Sequence, residues 1–407
     1  MTPLPAAGFP DLGALLRREV ARVAQVPAET ISGEQSLLAL GLDSLAVIEL
    51  LYGLEQALGV AIPPAEILEG IDLAGLETLV SALLPGAARQ EASAAALAAA
   101  ASPIAAAAEE VPLSPGQLAL WLVQEVAAHS GPLHIAAAAH VLPASGRRLD
   151  TAALGRCLAA LAERHPVLLS TFAERDGEPR QRFGAGLPPE LVEVDAADWP
   201  EQELDAWCER QAWRPFDLAA GPLVRVAVAR RGGGDAIVFT IHHLVADFWS
   251  VAVLVRDLSA LYLGEPLPRL PMAYADHLRR QAERLASPEA ERLWTYWREQ
   301  LTPPPPSLAL PGDRPRPAVR SYRGGAVQLD LGPEVAAGLR AVARRSGTTL
   351  FTVLLAGFQA FLGRISGERD LVAGSPAAGR DRPELAGLAG YFVNMMPLRA
   401  DLAGDPA

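Results

Sequence analysis

Residues 236–248 read Ala236-Ile237-Val238-Phe239-Thr240-Ile241-His242-His243-Leu244-Val245-Ala246-Asp247-Phe248. The first six are mostly β-branched, aromatic or small, the pattern of a strand buried on both faces. The run stops at two adjacent histidines. From Phe248 to Leu263 the apolar residues are spaced as in a helix, and Gly264 is placed to end it. Asp247 therefore stands where a helix N-cap belongs, its carboxylate available to the first free N–H groups. Successive residues of a strand point to opposite faces, so the two imidazoles leave its end on different sides. Histidine is well suited to relay or hold a proton near neutral pH. On spacing alone, a hydrogen-bonded core histidine beside a helix cap is the simpler reading. No third ligand stands at a zinc-site interval, so no metal is expected.

The surroundings alternate between strand-like and helix-like stretches from Leu113 onward. Leu113-Ser114-Pro115-Gly116-Gln117-Leu118-Ala119-Leu120-Trp121 is a turn into an amphipathic helix. Leu149 to His165 forms another helix, with Leu154, Leu158 and Leu161 on one face. A Pro-rich stretch, 303–317, separates this half from residues 321–407, where Ala326–Leu331 is a strand candidate and Leu350–Ile365 a long apolar helix. The mixture is α/β or α+β, in two lobes.

The N-terminal region is different. Leu12, Leu15, Leu16, Val20 and Val23 recur at three- and four-residue steps, as a helix facing a core requires. Leu45 to Leu58 is a second helix stopped by Gly59, Ile62–Leu68 a short third and Leu73–Leu84 a fourth. Four helices in so short a span make a small bundle, residues 8–84. Residues 85–110 are almost all small. As a flexible coil of roughly 25 residues they would span about 25–30 Å, so they are read as a tether.

Composition sets limits on all of this. With 407 residues and 50% hydrophobic content the chain is long enough for at least two cores. Its 35 Gly and 35 Pro follow no repeat, which excludes collagen-like and solenoid folds. A net charge of −12 leaves no basic stripe for nucleic acid. Cys157 and Cys208 have neither disulfide nor zinc spacing and are read as core residues of a reducing, cytoplasmic protein. The N-terminus has no signal-peptide pattern, and the Ala-rich run near residue 100 lacks the bulk of a membrane span.

Taken together, residues 113–407 resemble the condensation domains of nonribosomal peptide synthetases. His242-His243-Leu244-Val245-Ala246-Asp247 is similar to their HHxxxDG, Ser114 to Trp121 to SxAQxRLW, and Arg164 to Phe172 to RHExLRTxF. Tyr274-Ala275-Asp276 is similar to YxD, Leu310 to Pro317 to LPxDRPRP, and Gly390 to Arg399 to GxFVNTxxxR. Phe248 stands in place of the usual glycine. Ala119 and Leu169 replace arginines, Pro166 a glutamate and Met395 a threonine. The resemblance implies a two-lobed fold like chloramphenicol acetyltransferase over 111–407, an N-lobe of 111–300 and a partial C-lobe of 301–407. The family's last two motifs do not occur before Ala407, which implies a truncated second lobe.

Leu40-Gly41-Leu42-Asp43-Ser44-Leu45 is similar to the attachment sequence of acyl and peptidyl carriers. A serine opening a helix suits a phosphodiester, because the helix N-terminus favours negative charge. The resemblance implies 4′-phosphopantetheine on Ser44, added by a phosphopantetheinyl transferase. The GLDSL wording is closer to polyketide and fatty-acid carriers than to typical peptidyl carriers. A carrier–condensation didomain is therefore expected to transfer an acyl thioester to an amine on a downstream carrier, with cargo from an upstream loading enzyme or module. His243 is the expected proton acceptor or orienter; His242 and Asp247 are expected to hold its loop, with Arg314 as an ion-pair mate for Asp247. Phe248, Trp249 and Ser250 are expected along the substrate channel. A catalytically silent docking platform, an ester-forming variant and an epimerisation domain are the alternatives.

Overall fold

A computed structural model describes residues 12–24, 26–33, 71–83, 110–126, 133–141, 148–305, 307–312 and 324–404, with Leu37, Leu40, Leu50, Leu54, Leu58 and Ile62 as single positions. In the N-terminal unit, α1 (Leu12–Ala24) and α2 (Leu73–Leu83) pack through Leu16, Val20, Leu76 and Val80. Leu50 and Leu54 join this core and are fully buried. Such side chains each contribute about 1.5–3 kcal/mol relative to exposure. Asp43, Ser44 and most of the expected second and third helices lie outside the described residues.

The larger unit is built on a four-stranded sheet. Its strands are β2 (His134–Val141), β5 (Glu190–Asp195), β6 (Val224–Arg230) and β7 (Asp235–His242), in the order β2-β7-β6-β5. The β2–β7 and β7–β6 pairs are antiparallel, the β6–β5 pair parallel. Successive residues of β6 serve opposite faces. Val226 and Val228 pack with Leu154 and Leu158 of α4 (Thr151–Arg164), whereas Ala227 and Ala229 pack with Leu204 and Trp207 of α5 (Glu201–Trp213). The continuous apolar run of β7 thus reflects helices on both sides of the sheet.

A three-stranded sheet, β1 (Glu110–Pro112), β4 (Glu178–Arg182) and β3 (Thr171–Arg175), packs beside it, and α3 (Pro115–Val126) follows β1. Helix α6 (Phe248–Leu263) leaves the end of β7 and stops at Gly264, whose φ of 74° is the left-handed conformation glycine tolerates. Helices α7 (Tyr274–Leu285) and α8 (Pro288–Gln300) come next. The last part contains α9 (Gly332–Arg345), α10 (Leu350–Ser366) and an antiparallel pair, β8 (Asp370–Ala377) with β9 (Asn394–Asp401).

One expectation is corrected here. Ala326–Leu331 is not a strand: among the described residues no neighbour pairs with it, and Val327 is 98% exposed. Leu385, Leu388, Ala389 and Phe392 are buried in the same core as Trp121, Phe172 and Ile241. Cys157 and Cys208 are free and half-buried. No single helix among the described residues is long and apolar enough to cross a membrane.

Candidate active site at the end of β7

The two histidines end β7 with opposite fates. His242 is completely buried. Its Nδ1 accepts from Leu244 N at 3.2 Å, so the ring proton resides on Nε2, which has no partner among the described residues. The ring lies edge-on to Phe216 at 5.7 Å and to His134 at 6.0 Å, and His134 is its cross-strand partner in β2. Burial, then the adjacent His134, His243 and Arg225, lower its pKa to about 3. Its ring is therefore held in the neutral form.

His243 is only half-buried. Its backbone N–H donates to Leu133 O at 2.8 Å, and Nδ1 lies 2.7 Å from Ala246 O. A carbonyl oxygen can only accept, so Nδ1 carries the proton and Nε2 keeps its lone pair. That lone pair has no partner among the described residues, yet it is not sealed from solvent. Tyr391 stands at one side of the ring (centroids 5.3 Å, 79°) and Phe248, 76% exposed, at another (6.5 Å, 76°).

Asp247 is fully buried and hydrogen-bonded through both oxygens. Oδ1 accepts from Ser250 N at 2.7 Å, the N-cap bond expected of it, and Oδ2 accepts from Phe392 N at 3.1 Å. Its ion-pair mate is Arg380, with Nη2 at 3.3 Å from Oδ1. Arg314, the mate expected from the sequence, lies outside the described residues. Arg380 also donates to Leu385 O, to Leu388 O at 2.9 Å and to Ser250 Oγ at 2.8 Å, and its guanidinium covers the Phe392 ring at 3.9 Å. Buried charges are tolerated only when their remaining hydrogen-bonding capacity is met, and here it nearly is: Arg380 Nε lacks a partner among the described residues.

Ser250 does not line a channel. It is fully buried, its hydroxyl is 2.7 Å from both Asp247 Oδ1 and Gly390 O, and it accepts from Gly390 N at 3.1 Å. Trp249 is half-buried and tied through Nε1 to Ala386 O at 3.0 Å. Of the three channel expectations, only Phe248 presents an unencumbered side chain beside His243.

Other motif residues brace this loop. Gln117 is completely buried, and its amide donates to Leu244 O at 3.0 Å and Gln181 Oε1 at 2.9 Å. Arg164 and His165 converge on buried Asp257 of α6 at 2.8 and 3.0 Å. Tyr274 donates to Tyr391 O at 2.7 Å. An open cleft of about 550 Å³ lies against Phe216 and Arg225, but His243 does not line it.

Residues 107–407 match the Condensation domain family, and residues 14–80 match the Phosphopantetheine attachment site family. A linear gramicidin synthase polypeptide of Brevibacillus parabrevis is 35% identical over 374 residues, covering 89% of this chain and 5% of that protein. The chain belongs to the nonribosomal peptide synthetase condensation-domain family. Phosphinothricin tripeptide synthetase PhsC of Streptomyces viridochromogenes is 40% identical over 300 residues, 71% of this chain and 27% of its own length. The chain thus spans a small part of these curated relatives. The first condensation domain of the calcium-dependent antibiotic synthetase, solved with a substrate analogue, aligns at a TM-score of 0.59 and 26% identity, over 72% of this chain and 70% of that one.

This condensation domain follows a carrier, and the carrier family implies covalent 4′-phosphopantetheine. Leu40 and Leu50, which bracket Ser44 in sequence, are both buried in the carrier core. Sequence reasoning missed Arg380, Gln117 and His134 as parts of the condensation site. Gln117 stood inside a recognisable motif, but its contacts span 64 and 127 positions.

Proposed function

We propose that the didomain forms an amide bond, transferring an acyl group held on the carrier to an amine presented by a downstream carrier. The observation that carries this reading is the His243 ring, with Nδ1–H fixed on Ala246 O and the Nε2 lone pair open. Ser44 is the attachment residue. When bound there, pantetheine supplies a thiol that holds the acyl group as a thioester. The amine nitrogen attacks the acyl carbon, a C–N bond forms and the C–S bond breaks. His243 Nε2 accepts the proton leaving nitrogen and returns it to the departing sulfur. His242 stays neutral and, with Asp247 and Arg380, fixes the loop. Phe248 lines the approach to Nε2.

Aminolysis of a thioester is intrinsically feasible, so orientation and water exclusion are the main tasks. Tethering raises the local concentration of the loaded carrier, so its docking contact can be weak. The further partners are a phosphopantetheinyl transferase and an upstream acyl source, and the setting is cytoplasmic. The test loads the full chain with a transferase and an acyl-coenzyme A, adds an aminoacyl carrier and follows product by mass. Ser44→Ala should gain no arm, and His243→Ala should lose about 10²–10⁴-fold in rate. No product from the wild type with any acceptor overturns this reading in favour of a docking platform.

A further inference from the structure

Amide formation through His243 leaves one polar group beside that ring unused, the hydroxyl of Tyr391. Tyr391 is only 8% exposed. Buried tyrosine hydroxyls ordinarily find a hydrogen-bond partner, but this one has none among the described residues. Unlike His242 Nε2, Tyr391 Oη is not sealed from solvent. The hydroxyl therefore reaches accessible space from a ring centred 5.3 Å from that of His243.

The ring is held from several directions. Asp247 N donates to Gly390 O at 3.2 Å, Tyr274 to Tyr391 O at 2.7 Å and Phe392 N to Asp247 Oδ2 at 3.1 Å. Three consecutive backbone units are thus tied, Gly390 and Phe392 to Asp247 at α6's start and Tyr391 to Tyr274 at the start of α7. On the other side is Gly116. A Cβ there would lie 2.7 Å from Tyr391 Cε1, closer than side chains tolerate. The opening motif that this segment resembles has alanine at that position, so the seat of Tyr391 exists because this chain has glycine.

We propose that Tyr391 is a further catalytic residue, donating its hydroxyl hydrogen bond to the carbonyl oxygen of the acyl group as that oxygen becomes negative. The inference rests on the amide-forming reading. Attack by an amine develops positive charge on nitrogen and negative charge on oxygen together. His243 Nε2 offers an acceptor for the first, and Tyr391 offers a preorganised donor for the second. Burial, and then the charge of Asp247, raise the Tyr391 pKa. The phenol thus stays protonated, as a donor must.

Tyr391→Phe keeps the ring in its seat and removes only the donor. Measured with the loaded full chain and an aminoacyl carrier, kcat should fall about 10²–10³-fold, as when one oxyanion donor is lost, with KM for the acceptor and the melting temperature little changed. A difluorotyrosine placed at position 391 supplies a second measurement. Its more acidic hydroxyl should bring the basic limb of the kcat–pH profile to lower pH, which a packing role would not do. Wild-type kcat in Tyr391→Phe, or an unmoved basic limb, overturns the proposal while leaving amide formation and the His243→Ala loss intact. Absence of product from the wild type overturns the underlying reading instead, and this proposal with it.

Discussion

Arg380 Nη2 lies 3.3 Å from Asp247 Oδ1, and each side chain is only 1% exposed. Burial lowers the Arg380 pKa, and the charge of Asp247 is the largest influence opposing that shift. A sealed pair of this kind gains little net stability over an apolar pair, but it is costly to break. Arg380→Ala should therefore destabilise the larger unit by about 3–5 kcal/mol, measured by urea unfolding followed by tryptophan fluorescence. Arg380→Lys should not restore it, because an ammonium cannot reproduce the planar fork that reaches Leu385 O, Leu388 O and Ser250 Oγ. A double-mutant cycle with Asp247→Asn showing no coupling would contradict the pair's importance.

Stability should depend on pH through neutral histidines that are buried or half-buried. Burial lowers the pKa of His242 to about 3 and of His277 to about 4, and lowers those of His134 and His165. The unfolded chain titrates these rings near pH 6.5. Below that pH it binds protons the folded state refuses, so stability falls as pH drops from about 6.5 towards 4. Each such ring contributes a slope of about 1.4 kcal/mol per pH unit at most. Denaturant midpoints measured across pH 4–8 check this, and a flat profile refutes it.

Phe248 is exposed beside His243, so its removal should change selectivity more than stability. Phe248→Ala should shift unfolding by only about 0.5 kcal/mol. Competition between a long apolar acyl group and acetyl on the carrier should change the preference by about tenfold or more, with the apolar donor losing. An unaltered ratio would remove Phe248 from the substrate path.

Gly390 is needed for closeness. A Cβ there would stand 2.3 Å from Tyr274 Cδ2, on a ring whose hydroxyl is fixed to Tyr391 O. Gly390→Ala should cost about 1–3 kcal/mol through overpacking, read as a lower melting temperature. Unchanged stability and activity would mean that the 390–392 segment has room to yield.

The elements with local signals were legible in the sequence. β7 and α6 could be read because their residues show both the apolar pattern and the bounding Asp247 and Gly264. What lay beyond reach was the pairing across the chain. Nothing near Asp247 in sequence points to Arg380, which comes 133 positions later. Ser250 looked available because helix periodicity does not show that Gly390 will press against it. Val327, Leu329 and Leu331 alternate with polar residues as in a strand, but a strand exists only where another chain segment meets its backbone groups.

The tie between Phe392 N and Asp247 Oδ2 joins residues 145 positions apart. During synthesis, the ribosome releases the imidazole pair long before the segment that clamps its loop has emerged. Nascent fragments ending before residue 390 would carry the two imidazoles without the brace on their loop.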